Sequence, residues 1–517
     1  MATSQPETVL VLDFGAQYTQ LIARRVRENH VFCRVLPCTA SIAEIRAVAP
    51  KAIILSGGPA SVWQGGSPRC APEVLHMDLP ILGLCYGMQL LCEDLGGKVA
   101  RSDHREFGRA AIRVTKPGGI FAGMPASMDV WMSHGDSVET LPKDFEVLAE
   151  SDSAPFAAVR HKTRRVYGLQ FHPEVAHTPH GKEMIRNFLF DVAGCKGDWV
   201  MSRFVEETIA KVRAQVGKGK VVCGLSGGVD STVVGEILHR ALGDQLVCIF
   251  VDTGLLRTGD AELVEQDFRP RFGKSLVVAN AEELFLERLK GVTDPEKKRK
   301  TIGHAFIDVF KREAAIHAKD AKFLAQGTLY PDVIESVSAF GGPTATIKTH
   351  HNVGGLPEQL GFELVEPLRD LFKDEVREIG RELSLPDSLV WRHPFPGPGL
   401  AVRCLGEVRK DRLDVLRKAD KILQDELAEA GLVRSLWQAF CVLLPVRTVG
   451  VMGDERTYDE VCAVRAVTSD DAMTADWAQL PDALLRRVSN RIINEVRGIN
   501  RVVLDISSKP PATIEWE

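Results

Sequence analysis

Short runs of apolar, β-branched residues alternate with amphipathic stretches along much of this chain. TVLVLDFG (8–15), AIILSGGP (52–59) and the start of LPILGLCYGMQLLCEDLGG (79–97) are apolar at successive positions, as in strands buried on both faces. QYTQLIARRVREN (17–29) has the spacing of an amphipathic helix. The same grammar restarts after AGCKGDW (193–199). KVVCGLSGGVDSTVVGEILHRALG (220–243) predicts strand, glycine loop and helix, and LVCIFVDTGLL (246–256) and SLVVAN (275–280) predict the next strands. Strands of this kind separated by helices predict parallel sheets, whose sites lie at the carboxyl ends of the strands.

The pattern then changes. DPEKKRKTIGHAF (294–306) predicts the solvated start of a helix. TLYPDVIESVSAFGGPTATIKTHHNVGGLP (328–357) has no periodicity and reads as a long functional loop. The Pro- and Gly-rich WRHPFPGPGLAVRCLGE (391–407) blocks regular helix. Beyond it, RLDVLRKADKILQDELAEAG (412–431) predicts a helix, and FCVLLPVRTVGVMG (440–453) and RVVLDISS (501–508) predict strands. The expected fold class is α/β: two successive, mainly parallel α/β domains followed by a small α+β domain. Their expected bounds are residues 1–197, 198–394 and 395–517.

Charge narrows the possible partners. Lys and Arg number 64 against 69 Asp and Glu, a net charge of −5. Bulk nucleic-acid binding needs a positive surface to displace phosphate counterions, so no nucleic-acid partner is expected. No apolar run approaches the ~20 residues of a membrane span, and no basic segment precedes an apolar one at the N-terminus. Neither a membrane partner nor a signal peptide is expected. Eleven cysteines are spread along the chain without a C-x-x-C pair, which reads as reduced thiols in a cytoplasmic protein.

Two motifs carry chemistry. Gly83-Leu84-Cys85-Tyr86-Gly87-Met88-Gln89 puts a cysteine between strand and helix, where a strained turn exposes the sulfur and the helix N-terminus favours its charged form. Gln170-Phe171-His172-Pro173-Glu174 supplies a base with a carboxylate two residues on to orient it. A lone cysteine is more often a core thiol; here the elbow, the His-Pro-Glu and a glycine loop, Ser56-Gly57-Gly58-Pro59, occur in a coherent α/β order. The loop's N–H groups could face a developing oxyanion. The segment resembles the class I glutamine amidotransferases over about residues 8–195. The resemblance implies Cys85 as nucleophile, His172 as base and Glu174 as its orienter. It also implies Gly57 and Gly58 in the oxyanion-hole loop, and Gln89 near bound glutamine.

The second motif, Ser226-Gly227-Gly228-Val229-Asp230-Ser231 with Thr232 behind it, follows an apolar strand and opens a helix. Such a loop is an anion nest; it is neither a Walker A loop nor a dinucleotide fingerprint. It resembles the loop of the ATP pyrophosphatases, which adenylate an oxygen and release pyrophosphate. Asp230 is then a candidate Mg2+-associated residue. GTLYPDVIES (327–336), IKTHHNVGGLP (347–357), HPFPGPGL (393–400) and SSKPPATIEWE (507–517) extend the resemblance over essentially the whole chain, to the family of glutamine-hydrolysing GMP synthases. This implies amination of xanthosine 5′-monophosphate (XMP) to GMP by glutamine, with ATP cleaved to AMP and pyrophosphate through an adenylyl intermediate. It also implies a homodimer formed through the third domain. Lys348 would stabilise phosphate charge from a lid, Lys509 would hold the nucleotide phosphate, and Glu515 the purine NH groups. The motifs leave open an adenylating amidotransferase with another acceptor, and a non-catalytic nucleotide sensor.

Overall fold

The architecture is that of a computed structural model describing residues 6–16, 18–336, 361–452, 455–469 and 474–517. The chain divides into two compact units. The first comprises residues 6–204 with the helix Tyr330–Ser336, and the second comprises residues 205–329 with the chain from 361 onward.

The first unit is built on one sheet. Its strands are β1 (Thr8–Asp13), β2 (Phe32–Pro37), β3 (Ala52–Leu55), β4 (Ile81–Leu84), β5 (Lys98–Val114), β6 (Ser127–Thr140), β7 (Phe145–Ser151), β8 (Ala158–His161) and β9 (Val166–Leu169). They lie in the order β2-β1-β3-β4-β9-β8-β7-β5-β6. The half from β2 to β9 is parallel, as the continuous apolar runs predict, and β1, β3, β4 and β9 are almost wholly buried. Chain 98–161 adds an antiparallel half, a long β5–β6 hairpin with β7 and β8. In β6 the burial alternates along the strand, the mark of a sheet with one wet face.

The second unit holds β10 (Lys220–Leu225), β11 (Leu246–Asp252), β12 (Leu276–Asn280), β13 (Ala321–Ala325) and β14 (Glu363–Val365). They form a parallel sheet in the order β12-β11-β10-β13-β14. The chain runs outward from β10 in one direction and returns on its other side, so the strand order reverses between β10 and β13. Ligands of open α/β sheets bind at that switch point. The same unit carries β15 (Gln438–Met452), β16 (Glu455–Thr468), β17 (Asp476–Trp477) and β18 (Ile499–Asp505), packed against the helix Lys410–Glu429. One apolar core runs from Val222 in the parallel sheet to Ile499 in this second sheet.

Two local expectations change. The stretch 328–357 begins as a helix, Tyr330–Ser336, with Pro331 and Asp332 in its first turn, residues that suit a helix start. The helix Pro295–His317 starts where its charge pattern predicts, N-capped by Asp294, but its first turns are not wholly solvated. Lys298 is fully buried and donates to Ala401 O (3.2 Å), Cys404 O (3.0 Å) and Glu517 (2.5 Å). A hydropathy pattern cannot show such pairing, because the carbonyls come from chain a hundred residues away. All eleven cysteines are buried and none forms a disulfide.

Candidate functional site

Cys85 sits where β4 ends and the helix Tyr86–Asp94 begins, with φ 49° and ψ −104°. Positive φ in a residue with a side chain costs about 1–3 kcal/mol and persists only where packing enforces it. Here packing does. A Cβ at Gly83 would lie 2.6 Å from Gly87 backbone, and one at Gly87 would lie 2.4 Å from Leu55 O. The glycines therefore let the turn close against the sheet. β4 pairs with β9 in parallel register, Leu84 opposite Leu169, so Cys85 and Gln170 leave the sheet side by side. The Cys85 N–H donates to Leu169 O (2.7 Å).

His172 follows two residues after Gln170. Its backbone N–H donates to Trp131 O (3.0 Å), and its carbonyl accepts from Thr178 Oγ1 (2.7 Å), which fixes the ring's origin to β6. Nδ1 donates to Glu174 Oε1 at 2.7 Å, and the ring also hydrogen-bonds Cys85. Tyr18 packs edge-on against the imidazole, centroids 5.4 Å apart. Arg25 Nε donates to Glu174 O (3.0 Å) from the helix Thr19–Arg27. Cys85, His172 and Glu174 are 6, 4 and 0 % exposed. Burial by itself pushes the His172 proton off. The Glu174 carboxylate and the hydrogen bonds to Cys85 and Glu174 outweigh that and hold His172 well above its ordinary value.

Gly57 and Gly58 face this pair. A Cβ at Gly57 would lie 3.3 Å from the His172 ring, and one at Gly58 would lie 2.9 Å from Phe14 O. The loop is locked by Ser56, whose hydroxyl accepts from Phe14 N (3.0 Å) and donates to Gly57 O (2.8 Å). A cavity of about 530 Å³, in the size range of small-molecule sites, is lined by Gly58, Cys85, Tyr86, Gln89, Ser133 and His134 among others. Gln89 donates to Asp136 O (2.9 Å). Cys85, His172, Glu174, Gly57, Gly58 and Gln89 are thus brought together. Two groups at this site were not singled out from the sequence. Gln170 lies against the sulfur, and His134 is paired with Glu106 (3.1 Å) behind Ser133. The position of Gln170, two residues before the base on the same side of an extended chain, was the available signal.

The phosphate loop lies at the end of β10, at the switch point. Gly227 has φ +77°, a conformation side chains rarely adopt. Ser231 Oγ accepts from Ser226 N (3.1 Å), contacts Ser226 Oγ (3.0 Å) and donates to Gly228 O (3.1 Å). Thr232 is fully buried, its hydroxyl committed to Gly228 O (2.8 Å). Val229 starts the helix Val229–Leu242. Asp230 pairs through Oδ2 with Lys373 (2.5 Å), while its Oδ1 is buried without a partner among the described residues. Lys373 was not found from the sequence, since it reaches the loop from 143 residues away. Arg392 donates to Gly227 O (3.0 Å) and pairs with Asp260. Arg257 beside them is held down to about 10 by burial and by Arg392, and burial raises the Asp260 carboxyl.

Glu515 accepts from Arg403 Nη2 (2.8 Å) and Nε (3.1 Å) and from Gln438 (2.9 Å). The guanidinium of Arg403 lies over Phe440 (3.9 Å) and Phe395 (5.2 Å), and Arg257 lies over Phe395 (4.3 Å). The HPFPGPGL segment thus spans from the phosphate-loop cluster to Glu515. Lys509 is half-buried, its backbone bridged to Ala475. Lys348 lies outside the described residues.

Comparison with known proteins follows this geometry. The profile of class-I glutamine amidotransferases matches residues 10–192, that of NAD synthase residues 200–255, and that of the GMP synthase C-terminal domain residues 425–516. A Heliobacterium modesticaldum protein named GMP synthase [glutamine-hydrolyzing] is 58 % identical over 513 residues, 99 % of each chain. A Phenylobacterium zucineum protein of the same name is 58 % identical over 518 residues, covering 100 % of this chain and 99 % of its own. One from Maridesulfovibrio salexigens is 57 % identical over 511 residues, 98 % of this chain and 99 % of its own.

Proposed function

We propose a division of labour within this chain, which belongs to the family of glutamine-hydrolysing GMP synthases. It is a ligase that transfers the amide nitrogen of glutamine to XMP, giving GMP, with ATP cleaved to AMP and pyrophosphate through adenylyl-XMP. The observation that carries the residue assignments is the buried Cys85–His172–Glu174 relay, whose cysteine lines a cavity of small-molecule size.

In the first unit, Cys85 Sγ attacks the side-chain carbonyl carbon of glutamine. The C–S bond forms, the C–N bond breaks, and His172 passes the thiol proton to the departing nitrogen, which leaves as ammonia. Water then attacks the thioester, His172 takes its proton, and glutamate leaves. Glu174 holds the ring in one tautomer and supports its positive charge through the 2.7 Å bond. Cys85 N–H is occupied by Leu169 O, so the Gly57–Gly58 loop and the first turn of the helix Tyr86–Asp94 supply the oxyanion's backbone donors.

In the second unit, the loop from Ser226 to Thr232, with Lys373, receives the phosphates of ATP. The C2 oxygen of XMP attacks the α-phosphorus and pyrophosphate leaves; ammonia attacks C2 and AMP leaves. Mg2+ fits this loop in one respect, the buried, unpartnered Oδ1 of Asp230. Among the described residues no group of three or more ligating side chains gathers, so Asp230 and the ATP phosphates would hold the ion between them. Bound there, it would neutralise the leaving pyrophosphate. For XMP, Lys509 takes the phosphate and Glu515, held by Arg403 and Gln438, takes the purine NH groups. Lys348, in the IKTHHNVGGLP motif, stabilises phosphate charge as a lid residue.

The three-part division at 197/198 and 394/395 is supported by profile matches that fall inside the first and third parts. A homodimer through the third part is supported by Val449, Val451 and Tyr458. They share one face of β15–β16 and stay 54, 73 and 58 % exposed. No helix among the described residues is long and apolar enough to cross a membrane, and a cytoplasmic site fits eleven cysteines that form no disulfide. The direct test uses ATP, Mg2+, XMP and amide-15N glutamine. Labelled GMP with AMP and pyrophosphate is expected; glutamate without GMP would overturn XMP as acceptor and keep the thiol site.

A further inference from the structure

Gln170 is 2 % exposed, so its amide has no water to satisfy it and must find partners within the fold. Its Nε2 lies 3.7 Å from Cys85 Sγ, and its Oε1 accepts from Gln89 Nε2 at 3.3 Å. Gln89 Nε2 also donates to Asp136 O at 2.9 Å. A carbonyl can only accept, so Gln89 must present its NH2 to Asp136. The second hydrogen of that NH2 points to Gln170, which must answer with Oε1. Gln170 therefore has one orientation left, with its NH2 on the sulfur. The partners of the sulfur among the described residues are the Ser133 carbonyl, His172 and Gln170. Ser133 O serves a protonated thiol; His172 and Gln170 serve a negative sulfur.

We propose that Gln170 is a further catalytic residue of the glutamine half-reaction: its amide N–H stabilises negative charge on Cys85 Sγ, and its carbonyl fixes Gln89. This rests on the reading of Cys85 as nucleophile. The N–H acts twice, when the sulfur attacks and again when it departs from the thioester. Hydrogen bonds to charged groups are the strong ones, and in a buried site they are not diluted by water. The other charged or titratable groups around the sulfur are Glu174 behind His172, the Glu106–His134 pair, and Asp136, Arg101 and Arg105 along the cavity; Tyr18 packs on the imidazole, and the Tyr86 hydroxyl is committed to Pro68 O. Among the described residues none of them hydrogen-bonds the Gln170 side chain directly.

The test uses the full-length protein with Gln170→Met, which keeps bulk and loses both amide groups without adding charge, and Gln170→Leu as a second uncharged variant. Alkylation of Cys85 by iodoacetamide is timed at several pH values, with Cys85→Ala as background. Glutamine hydrolysis, ammonia-driven synthesis and thermal melting are followed beside it. Loss of one hydrogen bond to a charged group should slow alkylation at pH 7 about tenfold in both variants. The deficit should shrink as pH rises. The kcat for glutamine should fall ~10–100-fold while ammonia-driven synthesis is unchanged. A Gln170→Met protein that melts like the parent and is alkylated at the parent's rate across pH overturns the proposal, even if its kcat is reduced. If Gln170→Met does not fold, Gln170→Leu decides alone. If Cys85→Ala keeps glutamine-driven synthesis, the nucleophile reading fails instead, and this result is separate from the alkylation series.

Discussion

The thiol site and the phosphate loop both occupy carboxyl ends of parallel strands, yet they are built in opposite ways. At the first, Cys85, His172 and Glu174 are buried, hydrogen-bonded to one another and anchored by backbone contacts from β6, β9 and the helix Thr19–Arg27. At the second, Ser226 is exposed, Asp230 and Lys373 are partly exposed, and one oxygen of Asp230 has no partner. The difference follows from the chemistry. A covalent nucleophile gains from a low-dielectric setting in which its base is already oriented. A loop that must receive a polyanion stays open to solvent, so that the ligand can reach the start of the helix behind it.

The sharpest way to break that contrast is to disable each site and change the nitrogen source. Cys85→Ala should abolish GMP formation from glutamine and leave the rate with ammonium ions within about twofold, since no bond of the second half-reaction involves it. Loss of both activities would show that the two sites are not chemically independent. Asp230→Ala should lower synthesis from either source by ~10²-fold, the scale of several kcal/mol of lost charge stabilisation. Normal ammonia-driven rates would remove Asp230 from the reaction.

The smallest expected effect concerns stability and reports the burial of the thiol site. His172 is held above its ordinary 6.5 in the folded protein, where Glu174 and Cys85 outweigh burial. A raised folded value means the native state binds the proton more tightly than the unfolded chain. The stabilisation is therefore complete below pH ~6.5 and is lost as pH climbs through the raised value. Glu174→Gln should flatten this part of the curve of Tm against pH, from pH ~6.5 upward. A variant whose Tm falls with pH as steeply as the parent's would show that Glu174 does not carry the effect.

Several features were legible because local chemistry dictated them. Gly83 and Gly87 flank a cysteine that packing forces to positive φ, and no other residue could stand there. Gly227 similarly marks the phosphate-loop turn. Continuous apolar runs identified β1, β3, β4, β10 and β11 because parallel strands are buried on both faces. The antiparallel half of the first sheet was not read, since chain 98–161 alternates weakly and its pairing depends on partners far away in sequence. Lys298 was misread for the same reason: its charge predicts solvent, and only the carbonyls of Ala401 and Cys404 make its burial tolerable.

The sequence by itself determined the family, the two glycine-framed motifs and the strands that carry them, because turn sterics and burial on both faces act over a few residues. Only the tertiary structure decided which distant groups meet. Parallel pairing of β4 with β9 sets Gln170 and His172 beside a cysteine 85 and 87 residues earlier, and the reversal of strand order beside β10 leaves the crevice where Lys373 meets Asp230. Those encounters depend on register and strand order, which a long chain fixes only by burying its whole core at once.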